Sequence, residues 1–224
     1  MKLCLFGPDG SGKTTVARIL AAYLRRRGVK VRISWMRGTH DAASLLACAM
    51  RRLGLKGTSN PYYGIDIPPT LYRLWWALEF LSALPIWIAR YILPRNVVGD
   101  RCLVDLVVWV ATTTDTKFLR TVWARAALAL ARRHALVYLH VDPKTAERRR
   151  TGPKPSNPPL MYALYRALAH TIGAAAVDTS MLTPAQVALE ILRLVSTFPV
   201  LNLIKAKEGI GHAEVRMIRK NEYE

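Results

Sequence analysis

Eight residues near the start of the chain, Gly7-Pro8-Asp9-Gly10-Ser11-Gly12-Lys13-Thr14, have the types and spacing of a phosphate-binding loop, G-x-x-x-x-G-K-[ST]. Glycines let successive backbone N–H groups turn inward around a phosphate, and the helix that follows adds its partial positive charge. The nucleotide set is therefore Gly7, Asp9, Gly10, Ser11, Gly12, Lys13, Thr14 and Thr15. Lys13 can reach β- and γ-phosphates, and the Thr14 hydroxyl can sit on Mg²⁺. Two further groups suit the same chemistry. Asp100-Arg101 offers a carboxylate for the metal beside a guanidinium that can clamp a second phosphate. Arg148, Arg149 and Arg150 precede the breaker-rich stretch Thr151-Gly152-Pro153-Lys154-Pro155-Ser156-Asn157-Pro158. A mobile lid over residues 147–158 that closes arginines over the phosphates is the expectation there. Phosphoryl transfer asks for little else: positioning, charge neutralisation and exclusion of water.

The surrounding sequence supplies elements to hold these groups. Leu3-Cys4-Leu5-Phe6 reads as a buried strand, and Thr15 to Arg27 has helical apolar spacing at Val16, Ile19, Leu20, Tyr23 and Leu24. Strands are expected at Val29–Trp35, Asn96–Gly99, Ala135–Val141 and Ala174–Val177. Helices are expected from Asp41 to about Leu53, across Leu71–Leu93 with a kink at Pro85, and at Leu103–Thr112, Thr116–Arg133, Pro143–Arg150, Leu160–Ile172 and Pro184–Ser196. Gly54 to Pro69 reads as loop. Strands alternating with helices predict an α/β fold, a doubly wound five-stranded parallel sheet covered on both faces, with ligands at the carboxyl ends of the strands. Residues 1–198 form the catalytic domain in this reading, and 199–224 a C-terminal appendage without a motif.

Composition sets the limits. The chain has 224 residues, is 51% hydrophobic, and carries a formal net charge of +18, so it is too apolar for wholesale disorder and basic enough to attract nucleotides, nucleic acid or an anionic membrane. Abundant arginine and a single glutamine, Gln186, resemble a thermophile's usage. The isolated cysteines Cys4, Cys48 and Cys102 point to a reducing cytoplasm and away from a disulfide framework or a zinc site. Arg73, Glu79 and Arg90 interrupt the apolar Leu71–Leu93 stretch, which argues against a membrane span. The five histidines are scattered singly.

With the loop in place, Asp100-Arg101, the run Val137-Tyr138-Leu139-His140-Val141-Asp142-Pro143 with Arg149 downstream, and Val177-Asp178-Thr179-Ser180 together resemble the thymidylate kinase family across nearly all of Met1–Ser196. The resemblance implies transfer of the ATP γ-phosphoryl group to a nucleoside monophosphate with Mg²⁺, in a homodimer. It implies Asp9 near the acceptor's sugar or reacting phosphate, Arg101 on the acceptor phosphate, and a catalytic arginine in the lid. Arg37, Trp75, Glu79, Arg101 and Asp105 form the expected acceptor set, with Trp75 as the stacking platform. Three features depart from the family pattern: Glu79 stands where an arginine is usual, Trp109-Val110 where a tyrosine–glutamine pair is usual, and the turn Trp35-Met36-Arg37-Gly38-Thr39 is shorter than the usual arginine–glutamate–proline–glycine turn. Loss of that amide forfeits much discrimination of a pyrimidine edge. A kinase for a nucleoside, another small molecule or an RNA 5′-end, and a non-catalytic nucleotide- or nucleic-acid-binding module, stay open.

Overall fold

The computed structural model describes residues 1–36 and 41–196. Five strands form one parallel sheet: β1 (Lys2–Phe6), β2 (Arg32–Trp35), β4 (Val97–Asp100), β5 (Ala135–His140) and β6 (Ala175–Asp178), in the order β2-β4-β1-β5-β6. The central β1 alternates: Leu3 and Leu5 point into one core, Cys4 and Phe6 into the other. Such apolar strands are what burial on both faces demands. α1 (Lys13–Arg26) and α8 (Pro184–Ser196) cover the Leu3/Leu5 face. The opposite face is covered by α2 (Asp41–Arg52), α3 (Tyr72–Trp87), α4 (Leu103–Thr113), α5 (Val122–Ala131) and α7 (Pro158–Thr171). The short α6 (Pro143–Arg149) follows β5.

Three elements differ from the sequence reading. The Gly54–Pro69 loop contains a short strand, β3 (Lys56–Asn60), bridged to Ile65. The Asp66 carboxylate gathers it by accepting bonds from Thr58 N, Ser59 N and Ser59 Oγ, so polar bonding rather than a hydrophobic run makes the strand. The helix expected over Thr116–Arg133 is split into a 3₁₀ turn (Thr116–Arg120) and α5, because the Thr121 hydroxyl caps α5 at Ala124 N. α3 runs through Pro85 and passes into a π turn at Ile88–Ile92.

The cysteine expectation is also overturned: Cys4 and Cys102 form a disulfide, and Cys48 is a free, exposed thiol. A sequence separation of 98 hides the pair. Sheet register creates it, because Cys4 lies opposite Gly99, three residues before Cys102. The inference from isolated cysteines to a reducing compartment loses its basis. Among the described residues no helix is long and apolar enough to cross a membrane. The segment 199–224 lies outside the described residues.

Candidate functional site

The loop leaves β1 at Phe6 and delivers the chain into α1 at Lys13. Gly12, at the N-cap of α1, has φ 82, and Gly10 has φ 86, a left-handed backbone that costs a side-chain-bearing residue about 1–2 kcal/mol. At Gly10 there is no room either, since a Cβ would run into the Ala146 carbonyl of α6. The arginine-bearing helix thus packs directly on the phosphate loop.

Lys13 is curled into the loop, its Nζ donating to Gly7 O (2.8 Å), Pro8 O (2.6 Å) and Ser11 Oγ (3.1 Å). Burial, then the nearby Arg101 charge, lower its pKa to about 7, against weaker opposing effects of Asp105, Asp9 and Asp100. The ammonium is held poised by its surroundings, and an anion in the loop would restore its charge.

Parallel pairing of β1 with β4 brings Asp100 opposite Leu5, beside the loop. Thr14 Oγ1 donates to Asp100 Oδ2 at 2.5 Å. Asp100 is buried, and its Oδ1 has no hydrogen-bond partner. A buried, orphaned carboxylate oxygen next to a threonine hydroxyl fits a Mg²⁺ site, a cation that usually takes one or two carboxylates and completes its shell with phosphates and water. Among the described residues there is no cluster of three or more metal-ligating His, Cys, Asp or Glu side chains, as that mode of binding requires none.

Arg101 adopts φ 79, a left-handed conformation for a non-glycine residue. Its backbone is held from behind: the Tyr91 hydroxyl donates to the Arg101 carbonyl, and Gly99 leaves space for the Tyr91 ring. The guanidinium reaches Asp9 in the loop and lies 3.5 Å from Asp105 Oδ1. Burial works against its charge, but Asp9 and then Asp105 outweigh it and raise the pKa. Asp105 ties the arrangement together. Its Oδ1 accepts from the Tyr165 hydroxyl at 2.9 Å and from Gly7 N at 3.4 Å, and Oδ2 from Cys102 N at 2.9 Å. Burial raises its pKa, with Arg101 and Lys13 opposing.

Two cavities open on either side of the Asp9–Arg101 pair. One is a trough lined by loop residues from Asp9 through Thr15 with Arg149, Arg150 and Gly152. The other is walled by Tyr62, Val108, Trp109, Met161 and Tyr165. Asp9, Tyr62 and Arg101 line both. Arg149 donates to the carbonyls of Thr179 (3.0 Å) and Ser180 (3.3 Å). Arg148, grouped with the lid by sequence, instead folds back on its own helix to Thr145 Oγ1 (3.1 Å) and does not line the trough.

The acceptor set needs correction. Trp75 is fully buried in the core under α3, and so is Glu79; neither lines these cavities. Both helix positions face inward, so Trp75 presents no ring for stacking. Val110 is likewise fully buried. The aromatic walls belong to Tyr62 and Trp109, 5.3 Å apart edge to face, and to Tyr165. Tyr62 sits in the stretch read as featureless loop, and Tyr165 carries no motif; only their convergence reveals them. Arg37 lies outside the described residues.

The solved structure of YorR protein from Bacillus subtilis, in complex with phosphorylated GDP, superposes with a TM-score of 0.50 at 19% identity, covering 87% of this chain and 95% of that one. The fold is that of a P-loop NTPase. Residues 3–54 match the ATPase family associated with various cellular activities (AAA). This segment contains the loop and ends before β4. A Lon protease from Parabacteroides distasonis is 35% identical over 75 residues, 29% of this chain and 9% of that protein's length. The family match concerns the nucleotide-loop end of the molecule.

Proposed function

We propose that the chain is an ATP-dependent phosphotransferase, a thymidylate kinase-like enzyme that moves the ATP γ-phosphoryl group to a nucleoside monophosphate. The observation that carries this reading is the shared wall: a phosphate trough and an aromatic cavity meet at Asp9 and Arg101. A simple hydrolase needs only the first. A neighbour of similar fold that holds phosphorylated GDP agrees with a polyphosphate in the trough.

In this reading the loop amides and Lys13 grip the β- and γ-phosphates, and Thr14 with Asp100 Oδ1 holds the metal. Mg²⁺ when bound supplies charge neutralisation of the phosphates. Arg101 leaves Asp9 for the acceptor phosphate, so donor and acceptor anions lie on opposite sides of one guanidinium. Arg149 and Arg150 approach from α6 and stabilise charge on the group in transfer. Tyr62 and Trp109 wall the side on which the base packs. The cavity presents no side-chain amide among its described lining residues, so the group that would hydrogen-bond a pyrimidine edge in the family pattern is missing and thymine is not singled out.

A panel of nucleoside monophosphates, nucleosides and 5′-hydroxyl oligonucleotides with labelled ATP tests the proposal. Transfer to one or more monophosphates is expected, falling about 10²–10³-fold in Arg101→Ala and abolished in Lys13→Ala. ATP binding without transfer to any acceptor would exclude kinase function. Transfer to nucleosides or oligonucleotides alone would reassign the acceptor.

A further inference from the structure

The parallel sheet sorts charge between its two edges. Carboxylates collect where the strands end: Asp9 just beyond β1, Asp100 closing β4, Asp142 just beyond β5 and Asp178 closing β6. Cations collect where the strands begin. Lys2 opens β1, Arg32 opens β2, and Arg95 and Arg133 stand just before β4 and β5. α1 ends at the same edge in Arg25 and Arg26, and Arg132 follows α5. The segments that build this edge carry no acidic residue across 1–8, 10–40, 80–99 and 116–141.

An open groove of about 610 Å³ lies along it, lined by Arg25, Lys30, Arg32 and Arg95 with Asn96. All four cations are exposed. Carbonyls, not carboxylates, hold this region in place. Arg25 donates through Nε and Nη2 to Val31 O (3.3 and 3.0 Å), and Asn96 Nδ2 donates to Lys30 O (3.0 Å), tying the approach to β2 against the start of β4. A carbonyl orients a guanidinium without cancelling its charge. Among the described residues no carboxylate pairs with any of the four. Cations in the last turn of a helix complement its dipole, which accounts for Arg25, Arg26 and Arg132. It does not account for Lys30, Arg32 and Arg95, and the phosphate loop makes no use of them from the opposite edge of the sheet. Like charges gathered this way repel one another unless an anion lies between them.

The lining selects the anion. No aromatic ring lines the groove, so a base finds nothing to stack on and phosphates are what can be held. Its apolar residues, Val29, Val31 and Pro94, are not exposed, so it has nothing to insert into an acyl layer. The chain's own segment 199–224 carries five basic and four acidic side chains and would neutralise little. We propose that the amino edge of the sheet is a second anion site, remote from the phosphate loop, that binds the phosphate backbone of duplex nucleic acid without sequence preference.

Fluorescence anisotropy of a labelled duplex of about 20 base pairs, with the full-length chain and excess Mg-ATP to fill the phosphate trough, tests the assignment. Four phosphate contacts give an expected slope of about −3.6 for log K against log salt, a roughly 10²-fold loss of affinity from about 50 to 200 mM. Arg95→Gln alone should reduce that slope by about 0.9. Lys30→Glu/Arg32→Glu/Arg95→Glu should weaken binding at least ~10²-fold while keeping wild-type circular dichroism and Mg-ATP affinity. Lys117→Glu/Arg120→Glu/Arg125→Glu changes the net charge equally around the start of α5 and should retain most of the affinity. Equal loss in the two triple variants assigns binding to net charge and overturns the groove. So does a duplex left unbound at about 50 mM salt, undiminished binding by the first triple variant, or preference for phosphatidylglycerol vesicles over the duplex.

Discussion

Lys13 makes nucleotide binding depend on pH in a defined direction. Empty, its buried ammonium has a pKa lowered to about 7, first by burial and then by Arg101. A polyphosphate anion placed at Nζ supplies the missing counter-charge and returns the pKa towards the ordinary lysine value of about 10.4. Binding therefore takes up a proton above pH 7. Affinity should fall by up to ~10-fold per pH unit above that point, roughly 15-fold between pH 7 and 8.5. Isothermal titration of Mg-ATP in buffers of different ionisation enthalpy reads the uptake directly: about 0.9 proton at pH 8 and close to none at pH 6. Lys13→Met should bind weakly with no uptake at either pH. The sign reverses for the empty protein. The folded lysine is deprotonated above pH 7 while the unfolded one is still charged, so the unfolded state binds more protons and stability rises between about pH 7 and 10. Affinity that stays flat from pH 6 to 9, with no proton uptake at pH 8, would refute the placement of this ammonium in the phosphate site.

Three further outcomes follow from the packing. Gly10→Ala forces a Cβ into the Ala146 carbonyl at a left-handed φ; Mg-ATP affinity measured by titration should drop at least ~10-fold, with a lowered melting temperature. Tyr165→Phe removes one donor from the buried Asp105 carboxylate and should cost about 1.5–3 kcal/mol, read as a fall of several degrees in thermal unfolding, because Arg101 and Gly7 share that acceptor. Denatured without reductant, the protein should show one titratable thiol, Cys48, and reduction should expose all three; Cys102→Ser should lower the melting temperature by an amount consistent with about 2–4 kcal/mol.

The phosphate loop was legible because its chemistry is local: glycines, lysine and threonine act through eight consecutive residues, and the flanking strand and helix announce themselves by apolar spacing. Five strands of the sheet and the layering of helices were legible for the same reason, since burial on both faces leaves near-continuous apolar runs. Asp100 and Arg101 were nameable as a pair, but their meeting with Thr14 and Asp9 depends on β4 lying beside β1.

Burial of the same helix that was read as presenting Trp75 and Glu79 turned those side chains inward, because one helix in register with a motif does not reveal which of its faces the neighbouring helices cover. The aromatic cavity was beyond reach for a related reason: Tyr62, Trp109 and Tyr165 come from a short polar strand's turn, the end of α4 and the middle of α7. The Cys4–Cys102 bond and the Asp105–Tyr165–Gly7 bonds likewise join residues 60 to 98 positions apart. The order of residues along the chain determined which groups could bind a phosphate; strand pairing and helix packing decided what stands across from them, since contacts of that separation exist only once the sheet has formed.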